Sequence, residues 1–327
     1  MPNDKLRSYL HFHIIVFIWG FTAVLGALIT IDAVPLVWYR MLLASVTIWL
    51  YMRWKGISAK VNFKTLLGFG IAGIIIALHW LTFFGAIKIS NVSITLAMVS
   101  TGAFFTSILE PIFYKRKFIW YELFFGLMVI GGLYLIFEVE TRYMEGIIVA
   151  LISAFLSSVF TLINGKFAQK YRPSVISVYE LSAGVVFISI YLLCTSGFDV
   201  QFFQLPQMDW VYLVILATIC TAYAFIASVK VMRHLSPYTV MLTVNLEPVY
   251  GILLAFVILG DAEQMNTGFY YGALLILSTV VLNGIFKNIR KRKKGILPDT
   301  IKHPQGRLTE AKNVSVNPEN NIQKPPL

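Results

Sequence analysis

Charged residues are scarce in this chain and make up 13% of it, against about a quarter of a typical soluble domain. Hydrophobic residues make up 57%, and the mean hydropathy is +0.74. A soluble fold could not cover that much apolar surface, whereas a lipid bilayer accepts it in helical spans of about 20 residues. The composition therefore predicts an all-α integral membrane protein.

Reactive side chains are also few. The five histidines, at positions 11, 13, 79, 234 and 303, are scattered without metal-ligand spacing, and both cysteines, Cys194 and Cys220, lie in apolar segments. This pattern favours neither a metal site nor a disulfide framework, and it argues against a membrane-embedded enzyme, which needs clustered ligands or nucleophiles. The sequence has no GxxxxGK phosphate-binding loop, so the chain itself is not an ATP-driven pump. We expect no cofactor and no catalytic residue.

Ten apolar runs, bounded by charged residues, Gly or Pro, follow one another along the chain. Each is long enough to cross a hydrocarbon layer of about 30 Å at a helical rise of about 1.5 Å per residue. The connections are short, so we expect consecutive helices to pack as antiparallel neighbours. The predicted helices cover residues 9–30, 33–52, 65–86, 91–114, 118–137, 145–165, 174–194, 209–230, 237–259 and 267–286.

The positions of Lys and Arg indicate the orientation, because these residues are concentrated in cytoplasmic loops. If the ten spans alternate in direction, the Lys and Arg residues between them fall on one side of the membrane, and Lys88 and Arg142 are the two exceptions. Both termini are therefore predicted to be cytoplasmic, with the protein in the cell (plasma or inner) membrane. A basic cluster, Lys287 and residues 290–294, follows the last run. We expect it to contact anionic lipid rather than nucleic acid.

The two halves of the chain share a plan. At an offset of 145 the hairpin around Lys88 pairs with the hairpin around Arg233, and at an offset near 140 Arg40 pairs with Glu180. A chance alignment of two apolar hairpins is the alternative. Because five helices is an odd number, the halves must face opposite ways, as in secondary transporters built from inverted repeats. The expected fold class is ten transmembrane helices as two inverted five-helix repeats. The predicted boundaries are an N-terminus at 1–8, repeats at 9–140 and 141–286, and a disordered basic tail at 287–327.

Short motifs mark several predicted helices and hairpins. They are Phe17-Ile18-Trp19-Gly20-Phe21, Trp38-Tyr39-Arg40, Gly85-Ala86-Ile87-Lys88-Ile89-Ser90, Arg233-His234-Leu235-Ser236-Pro237 and Asn245-Leu246-Glu247-Pro248. Together they resemble the drug/metabolite transporter superfamily, specifically the EamA type with two five-helix domains, over about residues 9–286. The resemblance implies a carrier of metabolites or amino acids, often an exporter. The first half has Gly102-Ala103 where the family usually has proline, so a kink in the fourth helix is left open.

Ionisable groups inside membrane spans are costly and mark candidate functional sites. Arg40, His79 and Glu247 lie at depths that let them converge in the outer half of a central cavity, whereas Glu180 belongs toward the cytoplasmic half. Arg40 is predicted to bind an anionic group of the substrate. Glu247 or Glu180 is predicted to exchange protons, with His79 assisting. Four further candidates for substrate contact are Trp19, Tyr39, Trp80 and Asn245.

Each of these residues also has a structural interpretation. Arg40 and Glu247 could form an ion pair that holds two helices in register, and His79 could make an ordinary hydrogen bond to a neighbouring helix. The leading functional prediction is a secondary active transporter that exports small metabolites, such as amino acids or small organic ions, by alternating access between inverted repeats. Protons are a candidate coupling ion, and the identity of that ion stays open. A passive channel or a membrane-embedded enzyme is the alternative. The oligomeric state stays open.

Overall fold

The computed structural model describes residues 2–115, 120–235 and 237–293. Within these ranges all regular secondary structure is helical, which confirms the predicted all-α class. Seven segments of the described residues are long and apolar enough to cross a membrane. They are Ser8–Leu28, Ala33–Trp54, Phe63–Ile89, Val92–Tyr114, Thr141–Phe167, Pro173–Cys194 and Gln207–Val231.

The helices are numbered in chain order. Those of the first half are α1 (Pro2–Leu28), α2 (Ala33–Trp54), α3 (Phe63–Ile89), α4 (Val92–Val99), α5 (Gly102–Tyr114) and α6 (Trp120–Val139). Those of the second half are α7 (Met144–Phe167), α8 (Pro173–Cys194), α9 (Val200–Phe203), α10 (Gln207–Ala217), α11 (Ala224–Val231), α12 (Pro237–Val244), α13 (Glu247–Leu259) and α14 (Thr267–Lys293). A π-helical segment, Thr218–Tyr223, joins α10 to α11, and short 3-10 turns lie at Thr141–Tyr143 and Gly260–Glu263.

Two predicted helices are each divided in the structure. The run at 91–114 forms α4 and α5, and the run at 237–259 forms α12 and α13. The last helix continues to Lys293 rather than ending at 286. The predicted disordered tail beyond residue 293 lies outside the described residues, as do the side chains of the basic cluster.

The division between α4 and α5 falls at two hydroxyl residues. Ser100 Oγ donates to the carbonyl oxygen of Ala97 at 2.6 Å, and Thr101 Oγ1 donates to that of Met98 at 2.7 Å. Such bonds from a side chain to a preceding carbonyl compete with the helical backbone bonds and bend helices. The fourth helix is therefore interrupted directly before Gly102, although no proline stands there.

The division between α12 and α13 has a different cause. Pro248 is the second residue of α13 and has no backbone N–H, so it cannot bond the carbonyl of Val244 four residues earlier. Leu246 N–H instead bonds the carbonyl oxygen of Thr243 at 3.1 Å, which tightens the chain there. The segment that carries Glu247 therefore starts a new helix.

The divided run has the same form in both halves. The helices α4 and α12 each contain 8 residues, and α5 and α13 each contain 13. Both pairs are related by the offset of 145 found in the sequence, from 92 to 237 and from 102 to 247. The two interruptions therefore occupy equivalent positions.

Two helices of the first half, α2 and α6, pack antiparallel against helices of the second half, α8 and α14. In α2 and α8, Trp38 Nε1 donates to Ser189 Oγ at 2.8 Å, while Met41 lies against Gly184. Contacts later in α2 are therefore made with residues earlier in α8, so the two helices run in opposite directions. In α6 and α14, Gly132 lies against Ile276 and Gly272 against Ile136, so the direction is again opposite.

The helix α1 packs very closely against the start of α13. A Cβ added at Gly20 would lie 2.9 Å from the backbone nitrogen of Gly251 and 3.2 Å from the carbonyl oxygen of Glu247. Glycine permits this close approach because it has no side chain, as in other tight contacts between membrane helices. The contact brings Trp19, on α1, and Glu247, on α13, to the same cavity.

Candidate functional site

The structure places Arg40 in the interior, where its side chain is 2% exposed. Its Nε donates a hydrogen bond to Thr221 Oγ1 at 2.6 Å. Thr221 Oγ1 in turn donates to the carbonyl oxygen of Leu216 at 2.7 Å. The guanidinium of α2 is therefore held in position by the segment that joins α10 to α11.

That segment is π-helical, and this geometry positions Thr221. The hydroxyl of Thr221 bonds a carbonyl five residues earlier, so it fills the wide turn of Thr218–Tyr223 instead of the usual four-residue spacing. Single π-helical turns inside α-helices are found mainly at functional sites. Nothing in the local sequence predicts this turn, so Thr221 is a site residue that sequence reasoning missed.

The flat face of the guanidinium rests on aromatic rings. Cζ of Arg40 lies 3.9 Å from the centre of the Trp80 ring and 5.3 Å from that of Phe84. A cation over an aromatic face in a desolvated site gains about 2 kcal/mol. One terminal nitrogen, Nη1, is buried without a hydrogen-bond partner. Arg40 is thus fixed at its Nε and its face but retains a free N–H donor at its tip.

Arg40 lines a central cavity of about 80 Å³. His79 and Glu247 line the same cavity, so the convergence expected from their depths is present in the structure. Its remaining walls are mostly aromatic and aliphatic, with a few hydroxyl groups. The aromatic residues are Trp19, Trp80, Phe83, Phe160 and Phe225, and the hydroxyl residues are Thr22, Ser157, Thr161 and Ser228.

Glu247 is the first residue of α13 and is 8% exposed. The first amides of a helix have no partner within it, so the start of α13 favours a negative group in this position. Glu247 and Arg40 line one cavity but are not within ion-pair distance of each other. The structure therefore does not contain the direct ion pair that was one interpretation of these two residues.

His79 is anchored to the neighbouring helix α7. Its Nδ1 lies 3.0 Å from the carbonyl oxygen of Ser153 and 2.8 Å from Ser153 Oγ. Ser153 Oγ also donates to the carbonyl oxygen of His79 at 3.0 Å. The ring is therefore held at one edge by α7 while it contributes to the cavity wall.

Three of the predicted site residues do not line this cavity. Tyr39 donates from its hydroxyl to the carbonyl oxygen of Phe202 at 3.2 Å and stacks on the Phe202 ring, away from Arg40. Glu180 is fully buried and bonds Asn164 of α7. Asn245 is 1% exposed at the interruption before α13. The roles predicted for Tyr39, Glu180 and Asn245 in substrate binding or coupling stay predictions.

Thr22 and Ser228 are lining residues that sequence reasoning also missed. A signal for Thr22 was available, because it lies three residues after Trp19 and therefore on the same helical face. Ser228 has the same relation to Phe225, with a spacing of three residues on α11. Thr22 could therefore have been found by extending the candidate Trp19 by one helical turn, whereas Phe225 was not among the candidates from the sequence, so Ser228 could not be found in this way.

Comparisons with known proteins agree with this architecture. The model of the EamA-like transporter family matches residues 6–138 and again residues 144–285. An uncharacterized transporter of Archaeoglobus fulgidus is 23% identical over 287 residues, which is 86% of this chain and 97% of that protein. A solved structure, titled only as the crystal structure of a protein, matches with a TM-score of 0.65 at 14% identity. It covers 86% of this chain and 99% of its own, and it supports the fold alone.

The two family matches cover nearly all of the described chain, one in each half. Together with the apolar helices they indicate a multi-pass membrane protein, and the related transporter points to transport rather than to an enzymatic reaction. The chain therefore belongs to the EamA-like transporter family.

Proposed function

We propose that the chain is a secondary active transporter whose substrate binds in the central cavity between Arg40 and Glu247. The observation that carries this proposal is the presence of opposite charges on one small cavity without a direct ion pair between them. Buried charges without partners are costly, and in membrane proteins they are retained mainly where they bind a substrate or an ion. A bound substrate would supply both missing partners.

The chemistry of the cavity fits a small zwitterion such as an amino acid. The guanidinium of Arg40 is a donor for a carboxylate, and the carboxylate of Glu247 is an acceptor for an ammonium group. Aromatic rings such as those of Trp19 and Phe160 offer apolar surface for the rest of the molecule. Small organic ions that carry one of the two charged groups are the wider substrate class.

We further propose ten transmembrane helices arranged as two inverted five-helix repeats. The seven long apolar segments, together with α6, the α12–α13 pair and α14, make up the ten. The boundaries follow the predicted repeats at 9–140 and 141–286, flanked by 1–8 and 287–327. Antiparallel packing of α2 with α8 and of α6 with α14 supports the inversion, because equivalent helices of inverted repeats must run in opposite directions.

One pair of contacts gives independent support to the inverted repeat. Lys88 Nζ donates to the carbonyl oxygen of Ile29, directly after the end of α1. Arg233, its counterpart in the second half, donates from Nε to the carbonyl oxygen of Ala168 at 3.0 Å, directly after the end of α7. Lys88 therefore bonds the end of α1, the first helix of the first half, and Arg233 bonds the end of α7, the first helix of the second half. The charge pattern places the two contacts on opposite sides of the membrane.

Transport would proceed by alternating access, in which the two halves rock around the cavity. The interruptions before Gly102 and Glu247 are at equivalent positions and give each half a place to bend. In this proposal both termini are cytoplasmic, the protein lies in the cell membrane, and the basic residues after 286 contact anionic lipid. Export as the direction of transport follows from the family resemblance.

Uptake and efflux in proteoliposomes test the proposal. The purified chain would be assayed with a labelled panel of amino acids, simple carboxylates and simple amines, with and without an imposed pH gradient. We expect saturable flux of at least one amino acid, and we expect the gradient to change its rate. Lack of flux for every panel member, in protein shown to be folded, would contradict the proposal.

Variants of Glu247 separate the two charged groups of the substrate. Glu247→Gln keeps the shape of the side chain and removes its charge, so transport of zwitterions should fall more strongly than transport of carboxylates that lack an ammonium group. Glu145→Gln, at an exposed acidic residue near the start of α7, is the matched control and should change neither. Equal losses for both substrate classes in Glu247→Gln would contradict the zwitterion assignment.

A further inference from the structure

A second buried polar site lies outside the central cavity, where α8 meets α7. Glu180 on α8 and Asn164 on α7 are both 0% exposed. Asn164 Nδ2 donates to Glu180 Oε1 at 3.0 Å. The other two oxygens of the pair, Glu180 Oε2 and Asn164 Oδ1, are buried without a hydrogen-bond partner.

Two unpaired acceptors within one buried polar pair are unfavourable. A buried acceptor without a donor costs about 1–3 kcal/mol, and a buried carboxylate without a partner costs more. Glu180 Oε2 and Asn164 Oδ1 each lack a hydrogen-bond donor. A single proton on Oε2 would convert that oxygen into a donor and remove the buried charge at the same time.

The charged groups on the elements around α8 are engaged elsewhere. Arg40 on α2 bonds Thr221, and His79 on α3 bonds Ser153. The remaining bases on these elements are directed to other groups or lie at exposed ends. Lys166 on α7, Arg233 after α11 and Lys88 on α3 donate to backbone carbonyl oxygens, those of Phe113, of Ala168 and Tyr171, and of Ile29 respectively. The other bases are exposed, namely Arg53, Lys64, Lys170, Arg172 and Lys230. Among the described residues, no cation therefore compensates Glu180.

The site lies at a contact between the two halves. Gly73 on α3 faces α8 so closely that an added Cβ would meet the backbone oxygen of Glu180. Aromatic rings occupy the neighbouring contact toward the predicted cytoplasmic end. Phe69 of α3 packs against Phe167 at 4.9 Å between ring centres and stacks on Tyr179 at 6.0 Å. Movement of α3 relative to α8 would therefore open or close access to Glu180 from that side.

We propose that Glu180, held by Asn164, is the proton-binding group that couples transport to a proton gradient, separate from the substrate cavity. A hydronium ion on the open side transfers one proton to Oε2 and leaves as water, and the neutral acid then donates to Asn164 Oδ1. When the halves move apart on the opposite side, that O–H bond breaks and the proton returns to water. This inference rests on the proposed function and assigns to Glu180, rather than Glu247, the coupling role.

Two assays on Glu180→Gln test the assignment. Glutamine has the shape of the protonated acid and its amide can donate to Asn164 Oδ1, but it cannot release a proton. Counterflow of labelled substrate against unlabelled substrate at equal pH does not require net proton release, so it should stay within about twofold of wild type. Accumulation driven by a pH gradient should fall to the equilibrium level, and substrate-dependent proton flux, read with a pH-sensitive dye inside the vesicles, should disappear.

The outcomes distinguish this inference from the proposed function. If wild type shows no counterflow, the proposed function fails. If wild type shows counterflow but Glu180→Gln keeps its gradient-driven accumulation, the coupling assignment alone is overturned. The coupling assignment is also overturned if gradient-driven accumulation is lost in Glu247→Gln but kept in Glu180→Gln. It is overturned as well if accumulation by the wild type follows a sodium gradient instead of a pH gradient.

Asn164→Leu provides a second test that does not depend on the folding of Glu180→Gln. This variant retains the carboxylate but removes both the donor that bonds the anion and the acceptor that would bond the neutral acid. The pH midpoint of gradient-driven uptake should therefore differ from that of wild type. An unchanged midpoint in a transport-competent Asn164→Leu protein would overturn the inference.

Discussion

Replacing Arg40 by lysine is the most informative single change in the cavity. Lysine keeps the positive charge but has one nitrogen, whereas the arginine bonds Thr221 through Nε and leaves Nη1 free for the substrate. A lysine that bonds Thr221 cannot offer a second, equally oriented donor. The variant therefore loses one charge-assisted hydrogen bond to the substrate, worth about 1.5–3 kcal/mol.

That free energy corresponds to a loss of about 10- to 150-fold in affinity, since each 1.36 kcal/mol is tenfold. The assay is the concentration dependence of uptake in proteoliposomes for the panel member with the strongest flux, with Arg53→Lys, an exposed change on the same helix, as the control. Half-saturation should rise by that factor for Arg40→Lys and stay constant for the control. A folded Arg40→Lys protein with half-saturation within twofold of wild type would refute the substrate role.

Three further predictions concern anchoring, packing and orientation. Thr221→Val removes the acceptor of the Arg40 hydrogen bond and should lower the free energy of unfolding by about 1.5–3 kcal/mol. Thr218→Val is the control and should have little effect, because the Thr218 hydroxyl bonds only the carbonyl of Val214 one turn earlier. Equal losses of stability in the two variants would argue that Thr221 does not anchor Arg40. Gly73→Ala should lower the free energy of unfolding by about 1–3 kcal/mol, because the new Cβ would lie 2.8 Å from Ala183 Cβ. Gly70→Ala has open space around it and should raise the free energy of unfolding by about 0.5–1 kcal/mol. Thermal unfolding in detergent checks both variants. Cys194 is exposed at the end of α8, on the predicted external side, and the other cysteine is buried. A membrane-impermeant maleimide should therefore label the wild-type protein on intact cells but not Cys194→Ser. Labelling of the wild type only after cell lysis would contradict the predicted orientation.

Much of the helical plan could be predicted from the sequence because each span is a long apolar run. The bounds of α2 and α8, for example, differ from the predicted runs by no more than two residues. The convergence of Arg40, His79 and Glu247 was also predictable, because helical rise converts position into depth. These features depend on properties that are local to one helix.

The features that sequence reasoning missed depend on contacts between helices or on competition within the backbone. Tyr39 was grouped with Arg40 because the two are adjacent in sequence, yet consecutive helical residues point in different directions, and only Arg40 reaches the cavity. The π-helical turn at Thr221 has no local signature. The interruption at Ser100 arises from hydroxyl bonds to backbone carbonyls that the bare sequence permits but does not require.

The pair of Glu180 and Asn164 illustrates the same difference. The sequence identified Glu180 as an ionisable group inside a span and as the counterpart of Arg40. It did not show that Asn164, sixteen positions earlier in the chain, supplies its hydrogen bond. Partners on neighbouring helices become visible only when the packing of those helices is known.

Solute counterflow tests the central claim most directly. Proteoliposomes loaded with unlabelled substrate are diluted into a trace of labelled substrate, and internal label is followed over time. A carrier that exposes the Arg40 cavity to one side at a time should give a transient accumulation of label above equilibrium, and Arg40→Lys should require more substrate to reach the same overshoot. A steady rise to equilibrium without an overshoot, in folded wild-type protein that conducts the substrate, would indicate a passive channel and contradict transport by alternating access.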